Sequence, residues 1–390
     1  MNDKPKLLYV SPFPPKKSGI SDYSVLLVEA LSEKYDITLF TDKYEISVTD
    51  FSKKYKVLKL GKDTIHYDEY PYIIYNIGNN PYYHDYIYEM CLEHPGMVIL
   101  HDFVIYYLFI GYYQKREMLY TKVYENAGRD ALIKIKRALK QDDCELLTKK
   151  ELAVQLPLNE ELLSSGNYFM VHSEYAKNQV LALTDRVKKI NMIQQVATDF
   201  RVIEKAKLYK KYCIPEDAIV VAAFGIVADT KQNHVACKVV KKLAEQYNIC
   251  YVMVGEGDYV DCYVDNKVIF KTGFVKMDEF DSFIANSDIV LNLRYPTMGE
   301  TSAALVKILQ MGKCCMINDN GWFSEIPSDC AVKIDIDNIE QDLFNKIEFY
   351  LGNKNAREEV EKNASEFIKR EFSEQAIVSQ ICNFLEESKL

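Results

Sequence analysis

The feature that most restricts what this chain can fold into is an alternation of apolar runs and helical pattern. Lys6 to Val10 reads as a strand, "SPFPPKKSGIS" as a loop and "DYSVLLVEALSEKY" as an amphipathic helix. "DITLFTD" is the next strand, "YIIYNIGNN" a strand closing in a polar Gly-Asn turn, and "YYHDYIYEMCLEH" a helix. "GMVILHD" is then a strand that ends in His101 and Asp102. Strands separated by helical pattern need crossover connections, so the expected class is α/β, a doubly wound parallel sheet with helices on its faces. Ligands of such sheets bind at the carboxyl ends of the strands. Gly19, Asn79 and His101 all fall at such ends.

Residues 103–165 interrupt the rhythm. They are helical in pattern, Tyr-rich at first and then basic in "RDALIKIKRALKQ". "YFMVHSEYAKNQV" resumes strand and helix, and "KKINMIQQ" reads as another strand. A second series opens with "VVAAFGIVADTKQNHVACKVVKKLAEQ" and runs through "CYVMVGEGDY", "VIFKTGFVKMDEFDSFIANS" and "DIVLNLRYPT". With 390 residues the chain exceeds one ordinary core, so two domains are expected. The boundary is placed near residue 200. That gives a domain over 1–200 carrying the helical insert, a second over 201–372, and a last segment, 373–390, whose amphipathic helix runs from about Ser373 to Glu387.

The net charge of −9 argues against nucleic acid as a partner, because phosphate neutralisation needs a positive surface. Ten cysteines without a CxxC pair suggest reduced, buried thiols in a cytoplasmic protein. No stretch approaches the ~18 apolar residues of a spanning helix, and the apolar run near the N-terminus is short for a secretory signal. The cluster Lys134, Lys136, Arg137 and Lys140 reads as a solvated helix face, and it leaves peripheral contact with the inner face of a membrane open.

Three stretches carry candidate chemistry. In "FGIVADTKQN", Lys231 sits in the loop between a strand ending at Gly225 and the next helix, where an ammonium and helix amides can act on one diphosphate. In "RYPTMGETSAALVKILQMGK", Gly299, Glu300, Thr301 and Ser302 open a helix without bulk. A plain N-cap explains Thr301 or Ser302 but not the Gly-Glu pair. His101-Asp102 stands at a strand's carboxyl end, placed to donate to a substrate hydroxyl, and His172-Ser173 repeats the pattern more weakly. His66, His84, His94 and His234 make no metal-ligand cluster. Asp337, in "DID", reads as a helix cap.

Together these segments resemble the retaining glycosyltransferases of the GT-B fold, family 4. "SPFPPKKSGISDYS", "GNNPYYHDYIYE", "PGMVILHD", "VHSEYAK", "FGIVADTKQN", "ANSDIVLNLRYPTMGETSAALVKILQMGK" and "DNGWFSEIP" carry the likeness. It implies two facing Rossmann-like domains with parallel sheets and a C-terminal helix crossing back to the N-terminal domain. It also implies a metal-independent enzyme without cofactor, with a nucleotide diphosphate sugar as co-substrate. By that resemblance Lys231, Arg294, Thr301, Ser302 and Gly19 hold the donor diphosphate. Glu300, Gly299 and His101 meet the donor sugar, with His101 and Glu300 as the catalytic pair, and Asn79, Asp102 and His172 line the acceptor side. The acceptor would be a glycan or lipid-linked hydroxyl in surface polysaccharide or glycoconjugate assembly.

Two departures stand out. Lys307 falls where many members have a ribose-binding carboxylate, and Ile226 where many have a basic residue. Arg294 would restore the lost positive charge. An inactive partner of a working transferase and a nucleotide-sugar epimerase are the rival readings.

Overall fold

The strands form where the apolar runs are densest, because a parallel strand is buried on both faces. The computed structural model of the protein describes residues 4–141, 146–194 and 200–387. The chain divides into two units. The first comprises Met1–Val196, Met298–Thr301 and Glu374–Leu390, and the second Ala197–Thr297 and Ser302–Ser373. The boundary expected near residue 200 adjoins residues 195–199, which lie outside the described residues.

The first unit holds strands β1 (Lys6–Val10), β2 (Asp36–Thr41), β3 (Lys56–Lys59), β4 (Tyr72–Ile77), β5 (Met97–Leu100), β6 (Tyr168–Val171) and β7 (Ile190–Met192). They form one sheet in the order β3-β2-β1-β4-β5-β6-β7, parallel throughout. The direction of winding reverses between β1 and β4. Helices enter from capped turns: Ser18 caps Gly19–Leu31, Asn80 caps Pro81–Glu93 with Pro81 in its first turn, and Ser173 caps Glu174–Leu183. Each cap side chain accepts from an amide that the helix itself cannot satisfy. The last helix, Glu374–Glu387, buries Ile377, Ile381, Phe384 and Leu385 in the same core as Leu7, Tyr9, Leu27 and Leu39.

The insert is helical, with Tyr106–Gln114, Leu119–Gln141, Lys150–Gln155 and Glu160–Leu163. Gly128, at φ 77°, breaks the longest of these. The Glu161 carboxylate gathers the insert by accepting from Tyr88 Oη at 2.8 Å, Tyr113 Oη at 2.5 Å and Lys122 Nζ at 2.8 Å. Lys134, Lys136, Arg137 and Lys140 are exposed. Among the described residues no helix is long and apolar enough to cross a membrane.

The second unit holds β8 (Ile219–Phe224), β9 (Ile249–Val254), β10 (Ile269–Lys271), β11 (Ile289–Leu291), β12 (Cys315–Asn318) and β13 (Val332–Ile334), in the order β10-β9-β8-β11-β12-β13 and again parallel. Its winding reverses between β8 and β11. The Asp337 expectation needs correcting. Asn338 occupies the N-cap place of Ile339–Gly352, while Asp335 accepts from the Asp337 amide at 3.0 Å.

Lys307 has a structural fate. Its Nζ lies 2.7 Å from Asp281 Oδ1, with side chains only 10% and 3% exposed. Asp281 Oδ2 also accepts from the Arg201 amide at 3.1 Å, and Ser282 Oγ from the Ile203 amide at 2.6 Å. The pair therefore pins the chain where it enters this unit. Removing one partner of a buried pair strands the other charge, at about 3–5 kcal/mol. We expect Lys307→Met to lower the urea unfolding midpoint sharply and Lys307→Met/Asp281→Asn to recover most of the loss. A single variant as stable as the natural chain would disprove the pairing.

Candidate functional site

The carboxyl edge of the second sheet is shaped by close backbone approach. β8 ends at Gly225, whose φ is +88°. A Cβ there would stand 2.6 Å from Lys231 Nζ, and that ammonium donates to the Phe224 carbonyl. A Cβ on Gly255, after β9, would stand 2.0 Å from the Gly225 carbonyl oxygen, closer than any side chain tolerates. The two turns are laced by Gly225 N to Val254 O at 3.0 Å and Val227 N to Glu256 O at 2.7 Å.

β11 supplies the other side. The Arg294 amide donates to Asn318 Oδ1 at 2.7 Å, and its carbonyl accepts from Asn320 Nδ2 at 3.0 Å. Arg294 Nη1 lies 3.4 Å from Thr230 Oγ1, and the Tyr295 amide donates to the Thr230 carbonyl at 2.8 Å. Thr230 thus ties the loop bearing Lys231 to the loop bearing Arg294, at the reversal between β8 and β11. Sheet edges of this kind, where the winding reverses, are where ligands bind. Two cations held there can hold a doubly charged anion. Ile226 is 68% exposed beside them and carries no charge.

Ser302 is the N-cap of Ala303–Gln310, its Oγ accepting from Leu305 N at 3.1 Å and lying 3.2 Å from Asn292 Nδ2. Met298–Thr301, immediately before it, belong to the first unit. Gly299 has φ +80°, and a Cβ on it would stand 2.5 Å from Phe103 Cβ. The Met298 carbonyl accepts from Val104 N at 3.0 Å. Glu300 Oε2 accepts from the Met298 amide at 2.6 Å, and its charge helps hold the Tyr175 phenol up, after burial.

At the carboxyl edge of the first sheet, Asp102 Oδ2 accepts from the Asn79 amide at 2.8 Å, and Asn79 Oδ1 accepts from Tyr107 N at 2.8 Å. Asp102 therefore ties the ends of β4 and β5 together, and Asn79 ties them to the first insert helix. Gly19 opens its helix with empty space where a Cβ would point. His101 is buried, and both its ring nitrogens are engaged within the protein. Nε2 lies 3.0 Å from Asn76 Oδ1 and Nδ1 lies 3.1 Å from His172 Nε2. A role as hydroxyl donor would need one of these bonds to open. His172 Nδ1 donates to the Ile193 carbonyl at 3.1 Å, and His84 Nδ1 to the Asn76 carbonyl at 3.1 Å. Burial pushes His101 well below the usual histidine range, and His84 and His172 down to about 4.

The sequence reading missed Thr230 and Asn76. Asn76 did leave a signal, as the one amide inside the apolar strand "YIIYNI". Thr230 left none, because its role depends on a loop distant in sequence.

Because His84 and His172 are neutral in the folded chain and gain protons more readily when unfolded, folding stability should fall with pH. The fall begins near pH 6.5 and levels off near pH 4, by roughly 3 kcal/mol for each residue. Urea unfolding across this range checks it. The slope should shrink in His84→Gln, and a flat profile would refute neutral burial.

No protein-family model matches the chain, and no curated protein sequence does. Solved structures do. Sucrose-phosphate synthase from Thermosynechococcus elongatus superposes with a TM-score of 0.68 at 14% identity, covering 98% of each chain. HepE of Anabaena, solved with UDP and glucose, gives 0.67 at 14% identity, over 98% of this chain and 99% of its own. WaaG, a glycosyltransferase involved in lipopolysaccharide biosynthesis, gives 0.63 at 10% identity, over 97% and 99%. At such identities the likeness is one of fold. The chain has the two-domain GT-B architecture found in these glycosyltransferases, including the C-terminal helix that returns to the first domain.

Proposed function

We propose that the protein is a retaining glycosyltransferase that moves a sugar from a nucleotide diphosphate sugar to a hydroxyl of a glycan or lipid-linked acceptor. The observation that carries this reading is the joint placement of Lys231 and Arg294 around Thr230, at the reversal of the second sheet. Its GT-B neighbours, one of them solved with UDP-glucose, lend support through fold alone. In this reading the two cations stabilise the charge that builds on the leaving diphosphate. Glu300 accepts hydrogen bonds from the donor sugar. No protein nucleophile is required, because the leaving phosphate takes the acceptor proton on the donor's front face. Neither a metal nor a cofactor is part of the proposal.

The diphosphate assignment is tested by binding. Lys231→Ala and Arg294→Ala should each weaken a nucleoside diphosphate by roughly 1.5–3 kcal/mol, the range of a charge-assisted hydrogen bond, and leave the nucleoside almost unaffected. Equal losses for both ligands would remove the assignment.

Glu300 is tested by turnover of UDP-glucose or another nucleotide sugar. A carboxylate at a helix opening contributes roughly 0.3–1 kcal/mol to the helix whatever its function. Glu300→Gln should therefore change stability little and lower transfer tenfold or more, each factor of ten being about 1.4 kcal/mol of transition-state stabilisation. Normal transfer by this variant would take Glu300 out of the sugar site. Product formed without any acceptor would favour an epimerase, and the absence of both transfer and donor hydrolysis a non-catalytic partner.

A further inference from the structure

The buried histidines of the first unit allow a sharper statement, one that does not depend on the transferase reading. A neutral imidazole has one N–H and one lone pair, so a hydrogen-bonded chain of them has a direction. That direction is fixed at one end. The Ile193 carbonyl can only accept, so His172 Nδ1 carries a proton, at 3.1 Å. If His172 is neutral, its Nε2 is an acceptor, and His101 Nδ1, 3.1 Å away, must donate to it. A neutral His101 then has only a lone pair at Nε2. The atom facing that lone pair at 3.0 Å is Asn76 Oδ1, another acceptor, while Asn76 Nδ2 is buried without a partner.

Both faults vanish together if the amide is turned by half a revolution, since its oxygen and nitrogen are nearly interchangeable in shape. Nδ2 then donates to His101 Nε2. Oδ1 takes the place that Nδ2 held, on the side of the Tyr9 phenol, whose Oη lies 3.4 Å from Ser24 Oγ. With one added proton a second self-consistent chain exists. His172 donates from both nitrogens, His101 donates from Nε2, and Asn76 accepts through Oδ1.

We infer that Asn76 is a positioning residue that fixes the tautomers of a neutral His101–His172 pair by donating from Nδ2 to His101 Nε2. The pair takes up a proton only together with a half-turn of that amide. Its surroundings favour the neutral chain. Tyr23, from the helix Gly19–Leu31, stands nearly perpendicular to both imidazoles, with ring centres 5.1 and 5.4 Å away, and shields them from water. His84, from Pro81–Glu93, lies close enough that a charge on it would oppose one on His101. Tyr9 comes from β1, and the Asp102 carboxylate beside His101 is engaged with the Asn79 amide. While neutral, His101 has no ring N–H to offer a ligand.

Long-range nitrogen–proton NMR correlation on the full chain with nitrogen-labelled histidine tests this. Near pH 7 His101 and His172 should both show the Nδ1–H tautomer, the opposite of the form favoured by histidine in water. An Nε2–H tautomer at His101 would overturn the inference. In Asn76→Asp the ionised carboxylate can only accept, so His101 should switch to Nε2–H and the pair should keep its extra proton to higher pH. An unchanged tautomer and midpoint in that variant would also overturn it. If Asn76→Asp fails to fold, the tautomers of the unmodified protein still decide.

Discussion

Both sheets are parallel and covered on both faces, so their strand interiors admit almost nothing but apolar side chains. Polar groups are displaced to the carboxyl ends, and there they must be satisfied by one another. Each sheet has one reversal of winding, β1/β4 in the first unit and β8/β11 in the second. Polar groups gather at these carboxyl ends: Asn76, His101 and His172 along β4, β5 and β6 in one unit, Lys231, Arg294 and Asn318 along β8, β11 and β12 in the other. The candidate chemistry therefore follows from the way the core is closed.

Much of this could be read from the chain. The strands announced themselves as apolar runs and the helices by their period, and the capping residues Ser18, Asn80, Ser173 and Ser302 stood where the pattern changed. What could not be read was pairing across sequence distance. Lys307 was visible only as a cation where the family resemblance implied a carboxylate; that Asp281 neutralises it needed coordinates. The assignment of Met298–Thr301 to the first unit was equally hidden, because the next residue, Ser302, caps a helix of the second. His101 was recognised by position, but its engagement on both sides depends on Asn76 and His172, 25 and 71 residues away.

Lys307 and Lys231 show how surroundings decide what one residue type can do. Lys307 meets a carboxylate in the interior, so its charge is cancelled where it stands and serves the fold. Lys231 instead donates to a main-chain carbonyl at a sheet edge, which orients its ammonium there.

The crossing of Gly255 over the Gly225 carbonyl locks two turns of this molecule together. A single methyl group on Gly255 would stand 2.0 Å from a carbonyl oxygen, so the exclusion is steric and indifferent to ligand or reaction. The pair of glycines ending β8 and β9 therefore works as a register mark. Any change of register between the two turns in this chain would carry Ile226 and Lys231 with it, because both lie on the β8 side of that crossing.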